Sequence, residues 1–411
     1  MKGRERFSPS RRQSIAGIGA LAIASVLGVL YLTAPRFDFV GFAISFASFY
    51  GIYAILGISL NLEYGFAGQP NFGQVLFFGL GGVVGATVAA DLLPFFSGAA
   101  AGNICDISSL LSRESIALAN PAVSVSVWVI ALGFAMLAGG IMGLVASYPA
   151  LRVKEEWFLS MILLVGGETF RIVVTNTPEI GCGFNGLAGI TTPFYWMSNY
   201  LPAGPLQVQV PTGLYAAVIV LLAIACFVFA QRICNSPYGR LLKSVRDDKV
   251  AAESLGKDVS RARKQIMVIG SIMAGLAGAL YVYYIGVATP EDYIPALTFG
   301  IWVMMILGGY ANNRGLLLGA FVITMLDRGS LVSGIALQSY LPSLNSNLIV
   351  YGRYMVEAVI LLLLLVFRRK GLLPETRVKT KAYTLFDFGK KDAKPSSPSA
   401  GAPQAGGEAT S

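Results

Sequence analysis

The chain has 411 residues, of which 55% are hydrophobic and only 13% charged, with a mean hydropathy of +0.65. That composition excludes a water-soluble protein, and the absence of histidine removes the commonest general base and metal ligand. The formal net charge of +9 has a membrane explanation, because basic residues anchor the edges of spans beside anionic lipid heads; nucleic acid is not needed as a partner.

Apolar runs long enough to cross a hydrocarbon core of about 30 Å, which takes roughly 20 residues, recur from Ser14 almost to Phe367. No alternation of apolar and polar residues is sustained, so a membrane barrel is excluded and the fold class is all-α, a polytopic membrane protein. Residues 1–13 form a basic amino terminus. The run at 14–34 exceeds the roughly 7 to 15 apolar residues of a signal peptide and reads as a retained span. Further spans follow at 39–62, 75–95, 122–148, 157–175, 212–230, 265–288 and 350–367, eight in all with the first. The stretch 298–327 is apolar but broken at Ala311-Asn312-Asn313-Arg314-Gly315, and reads as two half-spans that enter and leave from the outer face.

Basic residues gather in 1–12, 149–157, 232–264 and from Arg368 onward. Lys and Arg in short flanking loops resist translocation, so all four zones are placed in the cytoplasm, with both termini there and the chain threaded through the cell membrane several times. The membrane domain is then 14–370. Residues 371–411 form a cytoplasmic tail whose polar end, from Lys390, has too few apolar side chains to offset chain entropy and is expected to be disordered. Cys105 and Cys182 fall in outer loops and read either as a disulfide or as two unrelated small hydrophobes, the second being favoured; Cys226 and Cys234 are not expected to pair.

Three places break the apolar pattern. The first runs from Asn61 through Glu63, Gly68, Gln69, Pro70, Asn71 and Gly73 to Gln74. Its glycines and proline prevent a continuous helix, and irregular backbone at membrane depth requires protein or a watery cavity to satisfy it. It reads as lining for a transport route, with an ordinary loop between helices as the equal alternative. The second pairs Glu168 with Arg171, three apart and so on one helical face, followed by the glycine-rich stretch that contains Asn185 and Gly186. The charge pair reads as a packing lock before a substrate contact, and the glycine-rich stretch as an outer gate or docking surface. The third is the polar segment from Pro237 to Lys264. Asp247 or Asp248 can cap a short helix over Lys249–Leu255 that Gly256 closes. Ala251, Ala252 and Leu255 share a face of that helix that could seat in a groove on another protein, although charge alone favours a solvated basic loop.

With GFAGQPNFGQ at 65–74, NGLAGI at 185–190, RDDKVAAESLGKDVSRAR at 246–263 leading into AGLAGALY at 274–281, and LGGYANNRGLLLGA at 307–320, the chain resembles a LivM-type permease, the inner-membrane subunit of branched-chain amino acid ABC transporters. Four ordered motifs make the resemblance specific, and it covers most of the chain. It implies a heteromeric importer: a second related permease subunit, two cytoplasmic ABC ATPase subunits that bind the ATP, and an extracytoplasmic solute-binding protein that delivers the amino acid. The family's ATPase-coupling segment carries over onto Ala251, Ala252, Leu255 and Gly256, with Arg246 and Asp247 leading in. Asn61, Glu63, Gly68, Gln69, Asn71, Gly73, Gln74, Glu168, Arg171, Asn185, Gly186, Asn312, Asn313 and Arg314 are the candidates for the substrate pathway. The chain departs from the family where Gln74 replaces a common histidine and Pro70-Asn71-Phe72 a Ser-Leu pair.

No phosphate loop of the form GxxxxGK[ST] occurs, so the chain itself is expected to be no enzyme and to hold no cofactor. Two other classes compete with the permease: an ion-coupled secondary transporter, which also uses broken helices, and a membrane-embedded enzyme, which would need convergent catalytic side chains that a chain without histidine lacks. Within the ABC reading, a urea or short-chain amide permease is the alternative.

Overall fold

The computed structural model describes residues 38–98, 102–152 and 156–340, the isolated positions 351, 352, 355, 358, 359 and 362, and residues 371–373. The expected first span at 14–34 lies outside the described residues, as do the last span at 350–367, apart from those isolated helical positions, and the tail beyond 373.

The molecule is built from helices in chain order: α1 Phe39–Leu60, α2 Gln74–Ser97, α3 Ile107–Ala119, α4 Pro121–Arg152, α5 Glu156–Asn176, α6 Leu206–Asn235, α7 Pro237–Asp247, α8 Lys249–Ser254, α9 Val259–Ile285, α10 Pro295–Gly308 and α11 Asn313–Tyr340. Two short strands, β1 Leu187–Ala188 and β2 Val287–Ala288, pair antiparallel with Leu187 opposite Ala288. Six helices are long and apolar enough to cross a membrane: Phe39–Phe66, Gln74–Ser97, Pro121–Pro149, Phe158–Asn176, Leu206–Asn235 and Val259–Ile285. They coincide with the six expected spans that fall among the described residues. Local sequence explains their ends. Asp38 accepts the Gly41 N–H at 3.0 Å to open α1, Asp258 accepts that of Arg261 at 2.8 Å to open α9, and Gly98 and Gly286 close α2 and α9 with φ of 71° and 85°.

The centre is α9, the most buried of the six spans, while α6 is the least. Its composition explains the position. Gly278 of α9 lies directly on the backbone of α2, where a Cβ would collide with the Phe78 carbonyl, and Gly275 lies on that of α4, where a Cβ would meet the Ala135 carbonyl. Gly139 of α4 likewise abuts the Ser271 carbonyl of α9. Small residues let helix backbones meet, which compensates for the weak hydrophobic drive between helices in lipid. On the other flank, α1 rests on α9, where Ser59 Oγ donates to the Gly270 carbonyl at 2.8 Å, and on α6, where Ile219 fills the space beside Gly51.

Two expectations need correction. Cys105 and Cys182 are joined in a disulfide, with Cα atoms 5.4 Å apart, so the favoured reading of two unrelated thiols is overturned. The pairing tethers the segment before α3 to the turn after α5, a contact between residues 77 apart in sequence that no local pattern encodes. The stretch 298–327 is broken between α10 and α11, but not into two half-spans: α10 has 14 residues and α11 has 28, about 42 Å at 1.5 Å per residue. Asn312 restarts the helix, its Oδ1 accepting from Arg314 N at 3.1 Å, and nothing before Tyr340 stops it. Residues 371–373, at the start of the expected tail, lie against the end of α10. The N–H groups of Leu372 and Leu373 donate to the carbonyls of Leu307 and Gly308 at 2.8 and 3.0 Å.

Candidate functional site

Beyond Leu60, α1 widens into a single π-helical turn, Asn61–Phe66, and then unravels into the loop that leads to α2. Such a turn inside a helix often marks a functional position. Here it aims polar side chains into the protein: Asn61, Glu63, Gln69, Asn71 and Gln74 are all fully buried. One Glu63 oxygen, Oε2, accepts from Asn71 Nδ2 at 2.7 Å and from Gln74 Nε2 at 3.0 Å, and Gln74 also reaches Ser59 Oγ at 3.2 Å. The partners of the carboxyl group are amides, not cations. Glu63 Oε1, Gln74 Oε1 and both polar atoms of the Gln69 side chain are buried without a protein partner, an arrangement that costs stability and serves no packing need.

The loop is fastened from several sides. Trp302 of α10 donates its indole N–H to the Asn71 carbonyl at 3.1 Å and stacks on Phe72 with centroids 4.6 Å apart. Ser160 of α5 donates to the Pro70 carbonyl at 3.2 Å, and Gly73 lies so close to Leu163 that a side chain there would displace α5. Asn61 turns toward the break between α10 and α11. Its Nδ2 donates to Asn313 Oδ1 at 2.7 Å, and its Oδ1 accepts from Ala311 N at 2.9 Å. Ala311 holds a positive φ of 57°, uncommon for a residue with a side chain, and that bond supports it. Asn313 Nδ2 extends the chain of contacts to Gln231 of α6 at 3.4 Å. Thus Asn61, Glu63, Gln69, Asn71, Gln74 and Asn313 form one neighbourhood, edged by Gly68 and Gly73 and by the helix-capping Asn312. Arg314 is exposed beyond it.

The polar segment after α6 touches the same place. Ser236 caps α7, accepting from Gly239 N at 3.3 Å, and Asp248 caps α8, accepting from Ala251 N at 3.0 Å. Gly256, at φ 72°, closes α8. Leu242 and Val245 of α7 turn inward, and Val245 packs with Ala252 and Val259 in a small cluster of its own. The expected face of Ala251, Ala252 and Leu255 is therefore split: Ala252 points into the chain, while Val250, Ala251 and Leu255 face outward, Val250 and Leu255 more than 70% exposed. Tyr238 donates to the Ala262 carbonyl at 3.2 Å, and burial pushes its phenol up to about 12, so it remains a donor at neutral pH. Arg246, next to the exposed Asp247, donates through Nη1 to the Gly65 carbonyl at 2.7 Å and through Nε to Asp247 at 3.0 Å. Gly68, at φ 69°, passes so near the Arg246 side chain that a Cβ would crowd it. The Arg246 guanidinium thus connects the α7–α8 bracket to the buried loop, beside Lys243, whose Nζ lies 5.4 Å from the centre of the Phe66 ring.

The remaining candidates lie elsewhere. Glu168 and Arg171 do pair on α5, with Arg171 Nη2 at 2.6 Å from Glu168 Oε1, and Arg171 also lies 3.6 Å from Glu291. The pair is partly exposed, not sealed in the core. Asn185 and Gly186 sit at the other end of α9, where Asn185 is exposed and Gly186, at φ 73°, packs on the Ala288 carbonyl beside the strand pair. Arg113, which composition gave no reason to single out, organises that end. It is 2% exposed and donates to the carbonyls of Ile104 and Ala188 at 2.9 and 2.8 Å. Burial lowers its pKa, opposed by the charge of Asp91, yet a guanidinium stays protonated.

A bundle of apolar spans around a small-residue helix, with polar side chains gathered at breaks in the helices, defines a multi-pass membrane transport subunit. A family model described as "Branched-chain amino acid transport system / permease component" matches residues 42–367, and the chain belongs to that family. It is 27% identical over 340 residues to the probable branched-chain amino acid transport permease protein LivM of Methanocaldococcus jannaschii, covering 80% of this chain and 93% of that protein. It is 25% identical to the high-affinity branched-chain amino acid transport system permease protein LivM of Salmonella typhimurium, over 80% of this chain and 69% of the relative. The LivM of Escherichia coli shows the same identity and coverage. No solved structure matches.

Proposed function

We propose that the chain is the membrane-spanning permease subunit of an ATP-driven importer, carrying branched-chain amino acids delivered by an extracytoplasmic solute-binding protein. A second related permease subunit and two cytoplasmic ATPase subunits complete the assembly. The α7–α8 bracket faces the cytoplasm, as its run of Lys and Arg requires, and Val250, Ala251 and Leu255 form the face that the ATPase grips.

The observation that carries this reading is the Arg246–Gly65 hydrogen bond of 2.7 Å. It joins a bracket with an exposed apolar face to the place where three helices are interrupted and held by polar side chains. Closure of the ATPase pair displaces the bracket; Arg246 transmits the displacement to the π-turn; Asn61 passes it to the α10–α11 break. A network of amide hydrogen bonds has alternative pairings of similar energy, which suits an element that must adopt two arrangements. The deciding experiment is reconstitution with the partner subunits in liposomes, measuring uptake of leucine, valine, isoleucine and urea with and without internal ATP. Leucine uptake that requires ATP is the expected result. Uptake driven by an ion gradient alone, or of urea alone, would replace this reading.

A further inference from the structure

We infer that the cavity lined by α1, α2, α9, α10 and α11 is a binding site for a zwitterionic α-amino acid with a branched aliphatic side chain. This rests on the permease reading above and assigns it a solute site apart from the buried loop. The cavity has a volume of about 310 Å³, at the small end of the roughly 300–1,000 Å³ typical of small-molecule sites, as a single amino acid requires. Its walls divide by chemistry. Phe49, Phe78 and Tyr281 form an aromatic corner, with Phe49 and Phe78 set 6.0 and 5.4 Å from the Tyr281 ring, and Met304 and Ile323 continue the apolar surface. That is a surface for a hydrocarbon side chain, not for urea.

The polar lining carries both signs of charge. Asp292 is oriented by two donors, Tyr281 Oη at 2.9 Å and Thr289 Oγ1 at 2.5 Å, and a carboxylate has lone pairs beyond those two for an ammonium group. Arg328 lies with its guanidinium 3.4 Å over the Phe49 ring and donates through Nε and Nη2 to Asp327 at 2.8 and 2.6 Å. Both contacts fix the guanidinium plane, and they leave the Nη1 edge to meet a carboxylate. An amino acid presents an ammonium, a carboxylate and an apolar chain, and the cavity offers a counterpart to each. The rim also includes Glu291, which faces Arg171 at 3.6 Å, so the partly exposed pair on α5 borders this site.

The test titrates leucine, 4-methylpentanoate and 3-methylbutylamine onto the assembled permease complex in nanodiscs, without the solute-binding protein, whose selectivity would mask that of the membrane site. Leucine is expected to bind about tenfold or more tighter than either truncated analogue, the range for a hydrogen bond to a charged group. Arg328→Gln should reduce leucine to the level of the amine, and Asp292→Asn to the level of the acid. Because Arg328→Gln also breaks the pair with Asp327, Gly300→Leu serves as a second probe. An added Cβ at Gly300 meets nothing within 4 Å, so the new side chain fills the cavity from its lining and should abolish leucine binding at an unchanged melting temperature. Equal affinity for the three ligands, or leucine binding unaffected by Gly300→Leu, would overturn the assignment. ATP-driven leucine uptake by the unaltered complex is measured alongside. Its absence overturns the permease reading and this inference with it, whereas uptake retained with unchanged binding in all three variants overturns the site alone.

Discussion

Arg246 links the α7–α8 bracket to Gly65, and Asn61 links the π-turn to the α10–α11 break, and each link makes a separable prediction. Arg246→Met keeps the length and apolar stem of the side chain but removes the bond to Gly65. The complex should assemble and hydrolyse ATP, while uptake per ATP falls several-fold; equal coupling in mutant and wild type, measured in the same liposomes, would remove Arg246 from the transmission path. Asn61→Leu is similar in volume but leaves Asn313 Oδ1 and the Ala311 N–H without partners. Each loss costs about 1–3 kcal/mol, and a lowered melting temperature in detergent should report it. The sequence revealed this cluster by type, because amides and glycines between apolar spans have no place in a plain helix. It could not reveal that Asn313, 252 positions away, supplies the partner. Arg328 and Asp327 went unnoticed, although adjacent charges within a long apolar run are costly in lipid and mark functional positions.

Helices are where sequence and structure agree most closely, since hydropathy runs and caps are local properties. The six described spans, the cap at Asp248 and the stop at Gly256 were all legible. The length of α11 was not, because its break at Gly309–Asn312 resembled the turn between equal halves. The α8 surface was half legible: spacing placed Ala252 with Ala251, but the cluster with Val245 and Val259 rotates it inward. The docking prediction therefore moves to the outward residues. Leu255→Glu, exposed in the isolated chain, should leave its stability within about 0.5 kcal/mol yet weaken ATPase association in a pull-down from membranes. Normal association would assign docking elsewhere. Gly278→Leu tests the central seam. No rotamer clears the Phe78 carbonyl, so α2 and α9 must separate, at a cost of about 3 kcal/mol or more, and the chain should elute as aggregate in size-exclusion chromatography.

The molecule as a whole is tied differently at its two ends. Beside the strand pair, the Cys105–Cys182 bond and Arg113 clamp loops that have little apolar area of their own. Replacing both cysteines with serine should lower thermal stability by about 2–4 kcal/mol, the usual range for closing a loop of this size, and proteolysis should then cut near residue 105 first. At the α7–α8 end there is no covalent tie among the described residues; Arg246 holds the Gly65 carbonyl, and Leu242, Val245 and Ala252 pack inward. The backbone contact among α2, α4 and α9 sets the mechanical consequence. Because glycines bring their backbones together at several points, those three helices form the tightest seam, while α1, α10 and α11 are joined through amides and an aromatic corner. If the chain works as the proposed permease, that seam predicts a solute route along its flank, beside α1, α10 and α11, and not through it.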